Sequence, residues 1–120
     1  MATALRQVIE QFRQAQREHA RDLHDAERAE SLRLARRSLD DHARQLVRRL
    51  PFQVYPVTPQ GHLAVRGEVE LRDGRRYRGQ TLCGAPSGYP PRGHPAPCAN
   101  CLLAAERYLL EGPPPLELAL

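Results

Sequence analysis

Over residues 1–50 apolar positions recur at helical spacing among charged ones. One set runs Leu5, Val8, Ile9, Phe12, Ala15, Leu23 and Ala26; a second runs Leu32, Ala35, Leu39, Ala43, Leu46 and Leu50. Each set follows the i, i+3, i+4 rule for one helix face. The segment has no Pro and no Gly, and its Ala, Leu, Arg, Gln and Glu are strong helix formers. The two sets do not share a phase. Extending the first leads to Glu30, Leu34, Arg37 and Asp41, so the apolar face jumps to nearly the opposite side around Ala29–Leu32. An antiparallel helical hairpin breaking near Ser31 would produce the jump. So would one long helix that meets different neighbours at its two ends. With no Gly, Pro or Asn to mark a turn, the pattern favours one long or kinked helix, of coiled-coil type. In both cases the apolar face needs a partner, either another copy or another protein.

The pattern changes at Pro51, which ends the helix. Residues 51–61, "PFQVYPVTPQG", read as an extended, proline-punctuated linker. Residues 62–84, "HLAVRGEVELRDGRRYRGQTLCG", then read as a β-hairpin, with Leu63, Val65, Val69 and Leu71 supplying the β character. Asp73-Gly74 is the favoured two-residue turn, and Gly67 marks a candidate bulge. Residues 102–112 read as a short helix capped by Gly112 and stopped by Pro113. The tail 113–120, "GPPPLELAL" without its first residue, is a proline-rich end. The expected class is α+β: a long N-terminal helix or helical hairpin (1–50), a linker (51–61), a small zinc-ribbon-like module with a β-hairpin and a short helix (62–112), and the tail.

Composition makes the core thin. The hydrophobic fraction is 41%, much of it Ala, and aromatics are 5%. Chains this lean depend on a metal, a disulfide framework or a partner subunit. The net charge of +4 is mild, and all 18 basic residues are Arg. That permits phosphate contact without requiring it. No stretch reaches transmembrane length. Residues 1–20 carry no apolar run of the signal-peptide kind. An odd cysteine count then points to reduced thiols in a cytoplasm.

The three cysteines define the candidate chemistry. Cys98-Ala-Asn-Cys101 has the spacing that lets two thiolates bind one tetrahedral Zn²⁺ from a single turn. The turn leads into a helix whose N-terminal dipole favours thiolates. Cys83 precedes Gly84, which lets backbone amides fold toward the sulfur. A fourth donor comes from His62 or His94. A two-residue turn at Asp73-Gly74 places His62 opposite Ala85, a same-face diagonal neighbour of Cys83; His94 lies four residues before Cys98. A redox C-x-x-C would want a βαβ context, which is missing here. Pro97-Cys98-x-x-Cys101 matches half of the zinc deaminase signature, but His62, Cys83 and His94 all lack the Glu two residues on that moves protons. The expected zinc is closed and structural, and the expected protein is not an enzyme.

These residues carry two resemblances. "TLCG" and "CANCL" after a His-led hairpin resemble small zinc-ribbon proteins with one His and three Cys ligands, found in GC-rich bacteria and their phages. That resemblance covers residues 62–103 and implies His62 as the fourth ligand. The C-terminal half is also similar to the DksA/TraR class of RNA-polymerase-binding proteins. In that class a Cys-Gly-x-Pro turn, here Cys83-Gly84-Ala85-Pro86, precedes a C-x-x-C opening a helix. Another cysteine of the class falls at Gln80 here. The class also carries an Asp-x-x-Asp near the tip of its N-terminal helical segment. Asp22-Leu-His-Asp25 sits midway in the helical zone; on the residues alone the two aspartates read as solvated helix positions.

Arg72, Arg75, Arg76 and Arg78 flank the expected hairpin turn, and Arg44, Arg48 and Arg49 end the helix. They are the candidate nucleic-acid contacts. The expected function is a zinc-stabilised regulator acting on nucleic acid or the transcription machinery. The alternative is a protein-interaction or assembly adaptor, of the accessory kind that phages and plasmids encode, with no nucleic-acid contact.

Overall fold

The structure is a computed structural model and describes residues 4–57, 61–66, 68–70, 76–78, 81–84 and 93–111. The chain divides into two compact units, Met1–Arg44 and Gln45–Leu120.

The N-terminal segment is two helices, α1 (Ala4–Arg21) and α2 (Ala26–Arg49). The expected single helix is therefore corrected to a hairpin, and its break lies at residues 22–25 instead of near Ser31. Two aspartates make the turn. Asp22 Oδ1 accepts the His24 N–H at 3.1 Å, an Asx turn. Asp25 Oδ1 accepts the N–H groups of Glu27 (2.9 Å) and Arg28 (3.2 Å), which caps α2. The Arg28 guanidinium reaches back to the Glu18 carbonyl at 3.4 Å, in the last turn of α1, where carbonyls lack helical partners. Asp22 and Asp25 are thus turn builders, not positions inside a helix.

Leu5, Val8, Ile9, Phe12 and Ala15 are all buried, so the first stripe is a core face as far as Ala15. Leu23 then falls in the turn and is 66% exposed. On α2 the buried positions are Leu39 and Leu46, with Leu32, Ala35 and Ala43 half-buried. The outer face of α2 carries the i, i+3 and i, i+4 ion pairs Arg33–Glu30 (2.6 Å), Arg36–Asp40 (3.1 Å) and Arg44–Asp41.

In the second unit, β1 (Val54–Val57) pairs antiparallel with β2 (His62–Val65), Val54 opposite Val65 and Val57 opposite His62. The expected linker thus contains a strand. Its prolines hid it, but Pro56 is exposed and β1 has no second partner strand among the described residues. An edge strand tolerates the missing N–H. β3 (Glu68–Glu70) pairs with β4 (Arg76–Arg78), with Glu70 opposite Arg76. A two-residue Asp73-Gly74 turn would instead set Glu70 opposite Tyr77, so the expected register is corrected by one residue; the turn itself, at 71–75, lies outside the described residues.

Beyond β4 the chain returns to β2. Ala64 bridges Thr81, and the Leu82 N–H donates to the Leu63 carbonyl at 2.8 Å. From Ala64 to Glu68 the chain takes four steps while its partner takes three from Arg78 to Thr81. The two pairings are thus offset by one residue; Gly67, the candidate bulge, lies outside the described residues. α3 (Ala99–Glu111) begins three residues earlier than expected, so Cys101 lies inside its first turn. Gly112, Pro113 and the rest of the tail lie outside the described residues. A small core joins Leu50, Val65, Leu82, Cys98, Cys101 and Ala105, with Phe52 and Tyr108 packed edge to face against it, their ring centroids 5.2 Å apart.

Candidate metal centre

Three backbone segments meet at one point. His62 opens β2. Ala64 bridges Thr81, the Leu82 N–H bonds the Leu63 carbonyl, and the turn that follows carries Cys83 to His62. The expected alignment with Ala85 is therefore corrected by two residues, and the consequence is a closer approach of Cys83 to His62. The third segment is held by Gly61: its N–H donates to the Ala96 carbonyl at 3.1 Å and its carbonyl accepts the Cys98 N–H at 3.1 Å. A Cβ at Gly61 would lie 2.9 Å from the Ala96 oxygen, so only glycine lets the two backbones come this close. Cys98 then caps α3, its carbonyl accepting the Leu102 N–H at 3.1 Å. Cys101 sits one turn on, facing the same way as Cys98.

The Thr81–Gly84 turn presents the remaining sulfur. Gly84 has a φ of 84° and donates its N–H to the Thr81 carbonyl at 3.1 Å. This positive φ explains the Cys-Gly pair, since a side chain at that position would be strained.

The ligand atoms of His62, Cys83, Cys98 and Cys101 all lie within 4.8 Å of one another. His62 Nδ1 is 3.4 Å from Cys83 Sγ and 3.8 Å from Cys101 Sγ. A tetrahedron with metal–sulfur arms of about 2.3 Å has edges of about 3.8 Å. The group therefore has the size of a metal cage and can hold a metal ion. His62 is 8% exposed, Cys98 5% and Cys101 0%, while Cys83 is half-buried. Burial pushes the Cys101 thiol up to about 12, against the lowering effect of the Leu63 N–H, which points at its sulfur from 3.3 Å. A buried thiol of this kind becomes a thiolate when a cation supplies the compensating charge. All four donors come from the protein, which leaves a tetrahedral ion no open position for substrate.

His94 is exposed and is not one of the four. Of the candidate nucleic-acid contacts, Arg44 pairs with Asp41. Arg48 and Arg49 are exposed in the last turn of α2. Arg76 and Arg78 belong to β4, and Arg72 and Arg75 lie outside the described residues. Sequence reasoning missed Gly61, Leu63 and Thr81 as supports of the centre. A glycine bordering a strand is a signal of close backbone approach and marks Gly61; nothing comparable marks an amide such as that of Leu63. No helix among the described residues is long and apolar enough to cross a membrane. No family model, curated protein or solved structure matches the chain.

Proposed function

We propose that the protein is a non-enzymatic regulator of the transcription machinery, built round a structural zinc and acting by contact through its helical hairpin. Zinc is the ion that one imidazole and three thiolates select, because it takes mixed nitrogen and sulfur donors in a tetrahedron without geometric strain. The metal's part is to hold His62, Cys83, Cys98 and Cys101 together where the apolar core is small. A closed donor set of this kind stabilises and does not catalyse.

One observation carries the regulatory reading. Asp22 and Asp25 stand at the turn of the helical hairpin, the position that the similarity to the DksA/TraR class implies for an Asp-x-x-Asp. The test is binding of the full chain to purified RNA polymerase, alone and as the Asp22→Asn/Asp25→Asn double variant. Asn caps a helix as well as Asp does, so the double change removes charge and keeps the turn. Binding weakened by about tenfold or more is expected; a chain that does not bind the polymerase contradicts the proposal.

A second reading, an assembly adaptor, is favoured by a groove of about 600 Å³ along the hairpin. Its floor holds Ala15, Ser31 and Ala35, and Gln7, Glu10, Gln11, Gln14 and Glu18 make the rest of its lining polar. Small side chains let another helix approach closely. Under that reading Ala35→Arg abolishes retention of a purified partner, while undiminished retention excludes the groove as its seat.

A further inference from the structure

A groove of about 390 Å³ lies where α2 runs into β1. Val47, Leu50, Pro51, Phe52 and Val54 give it apolar walls, and Gln53 and Arg66 are its polar members. These residues come from two sides of the β1–β2 ladder. Phe52 and Val54 pack toward the core. Gln53 and Arg66 are exposed on the other side, where the Arg66 guanidinium sits 5.5 Å from the centre of the Tyr55 ring. The Arg66 N–H donates to the Gln53 carbonyl at 2.8 Å. In an antiparallel ladder bonded pairs alternate with unbonded ones. Val54, opposite Val65, therefore turns its own N–H and carbonyl away from β2, toward the edge that no strand covers among the described residues. Pro56, two residues on, turns out only a carbonyl. This edge suits a short strand with apolar side chains on the core side and an acidic one on the outer side.

The chain carries such a segment. Residues 113–120, PPPLELAL, place Leu116, Glu117 and Leu118 after three prolines. α3 leads toward the groove: it ends at Glu111, and Tyr108, one turn earlier, meets the Phe52 ring edge to face with centroids 5.2 Å apart. Eight residues separate Tyr108 from Leu116, and each extended residue adds about 3.3 Å of reach, so the segment can return to Phe52. We propose that residues 116–118 of the same chain dock in this groove as a short strand on the edge of β1, with Leu116 and Leu118 beside Phe52 and Val54 and Glu117 opposite Arg66. Backbone bonds to Val54 supply affinity and the alternating side chains supply register. A one-residue slip would bring Glu117 against Phe52 and expose both leucines.

The test uses the full chain, purified without added chelator and ¹³C-labelled at its leucine methyls. Nuclear Overhauser contacts from the Leu116 and Leu118 methyls to the Phe52 ring are expected. Mixing labelled with unlabelled chains separates contacts within one chain from contacts between two. Contacts found only between chains overturn the proposal and make the groove a seat for a second copy; no contact at all also overturns it. Glu117→Arg is expected to lower the docked-to-free ratio, read from the Leu118 methyl shift, by about two- to fivefold, and Arg66→Glu in the same chain to restore it. A ratio unchanged by Glu117→Arg overturns the pairing with Arg66 and with it the register. Neither readout depends on polymerase binding, so this proposal and the regulatory reading stand or fall separately.

Discussion

The two units are held together by different means. The helical hairpin is repetitive: its core positions Leu5, Val8, Ile9, Phe12, Ala15 and Leu39 recur at helical intervals, and neighbouring turns support one another. The second unit has short strands, a small core and a 13-residue helix. Its backbone segments converge from residues 61–65, 81–84 and 96–101, far apart in sequence. Distant convergence carries a large ordering cost, and here four metal donors sit at the meeting point. The lesson is that one chain combines a unit organised by local pattern with one whose distant segments meet at four donors able to hold a shared ion.

The largest expected effect separates the two. Stripping the metal with a strong chelator abolishes the dispersed amide signals of β2 and α3 in a two-dimensional NMR spectrum, because metal binding energy is folding energy in such modules. Most helical ellipticity persists, since α1 and α2 hold 18 and 24 residues against 13 in α3. Equal loss in both units would break the comparison.

Leu39→Ala acts on the other side of it. Leu39 is 2% exposed, and its truncation destabilises the hairpin by about 2–5 kcal/mol. Zinc affinity, measured by competition with a chromogenic chelator, stays unchanged. A parallel fall in zinc affinity would tie the hairpin core to the metal centre.

The hairpin core was legible in sequence because helical periodicity is a local signal; even the phase jump was visible. The turn itself was missed because Asp22 and Asp25 do what Gly or Asn does elsewhere, through side-chain acceptors. The sheet was less legible. Pro56 disguised an edge strand, and the register expected from an Asp73-Gly74 turn was off by one residue at Glu68–Arg78 and by two at Ala64–Thr81. The donor set nonetheless contains the expected residues, since a strand shifted by two residues presents the same face. Gly61 had no such protection: a glycine at a strand border signals a close approach, but the backbone it meets lies thirty-five residues away, at Ala96, and no local pattern names it.

Gly61→Ala tests that role. The added Cβ would sit 2.9 Å from the Ala96 oxygen and push residues 96–98 off His62. A destabilisation of about 1–3 kcal/mol confined to the second unit is expected, with zinc affinity weakened about tenfold. Thermal unfolding and zinc competition identical to wild type would show that the close approach is not needed. Smallest of all, Asp25→Ala removes the cap of α2 and lowers hairpin stability by about 1 kcal/mol. Urea unfolding followed by far-ultraviolet circular dichroism reads it, and Asp25→Asn restores it.

The ligand set itself is tested most directly by native mass spectrometry of the wild type, His62→Ala and His94→Ala, each purified without added metal chelator. One zinc per wild-type chain, retained in His94→Ala and lost in His62→Ala, is the predicted result. Zinc lost in His94→Ala and retained in His62→Ala, or a wild-type chain that binds none, would contradict a centre made of His62, Cys83, Cys98 and Cys101.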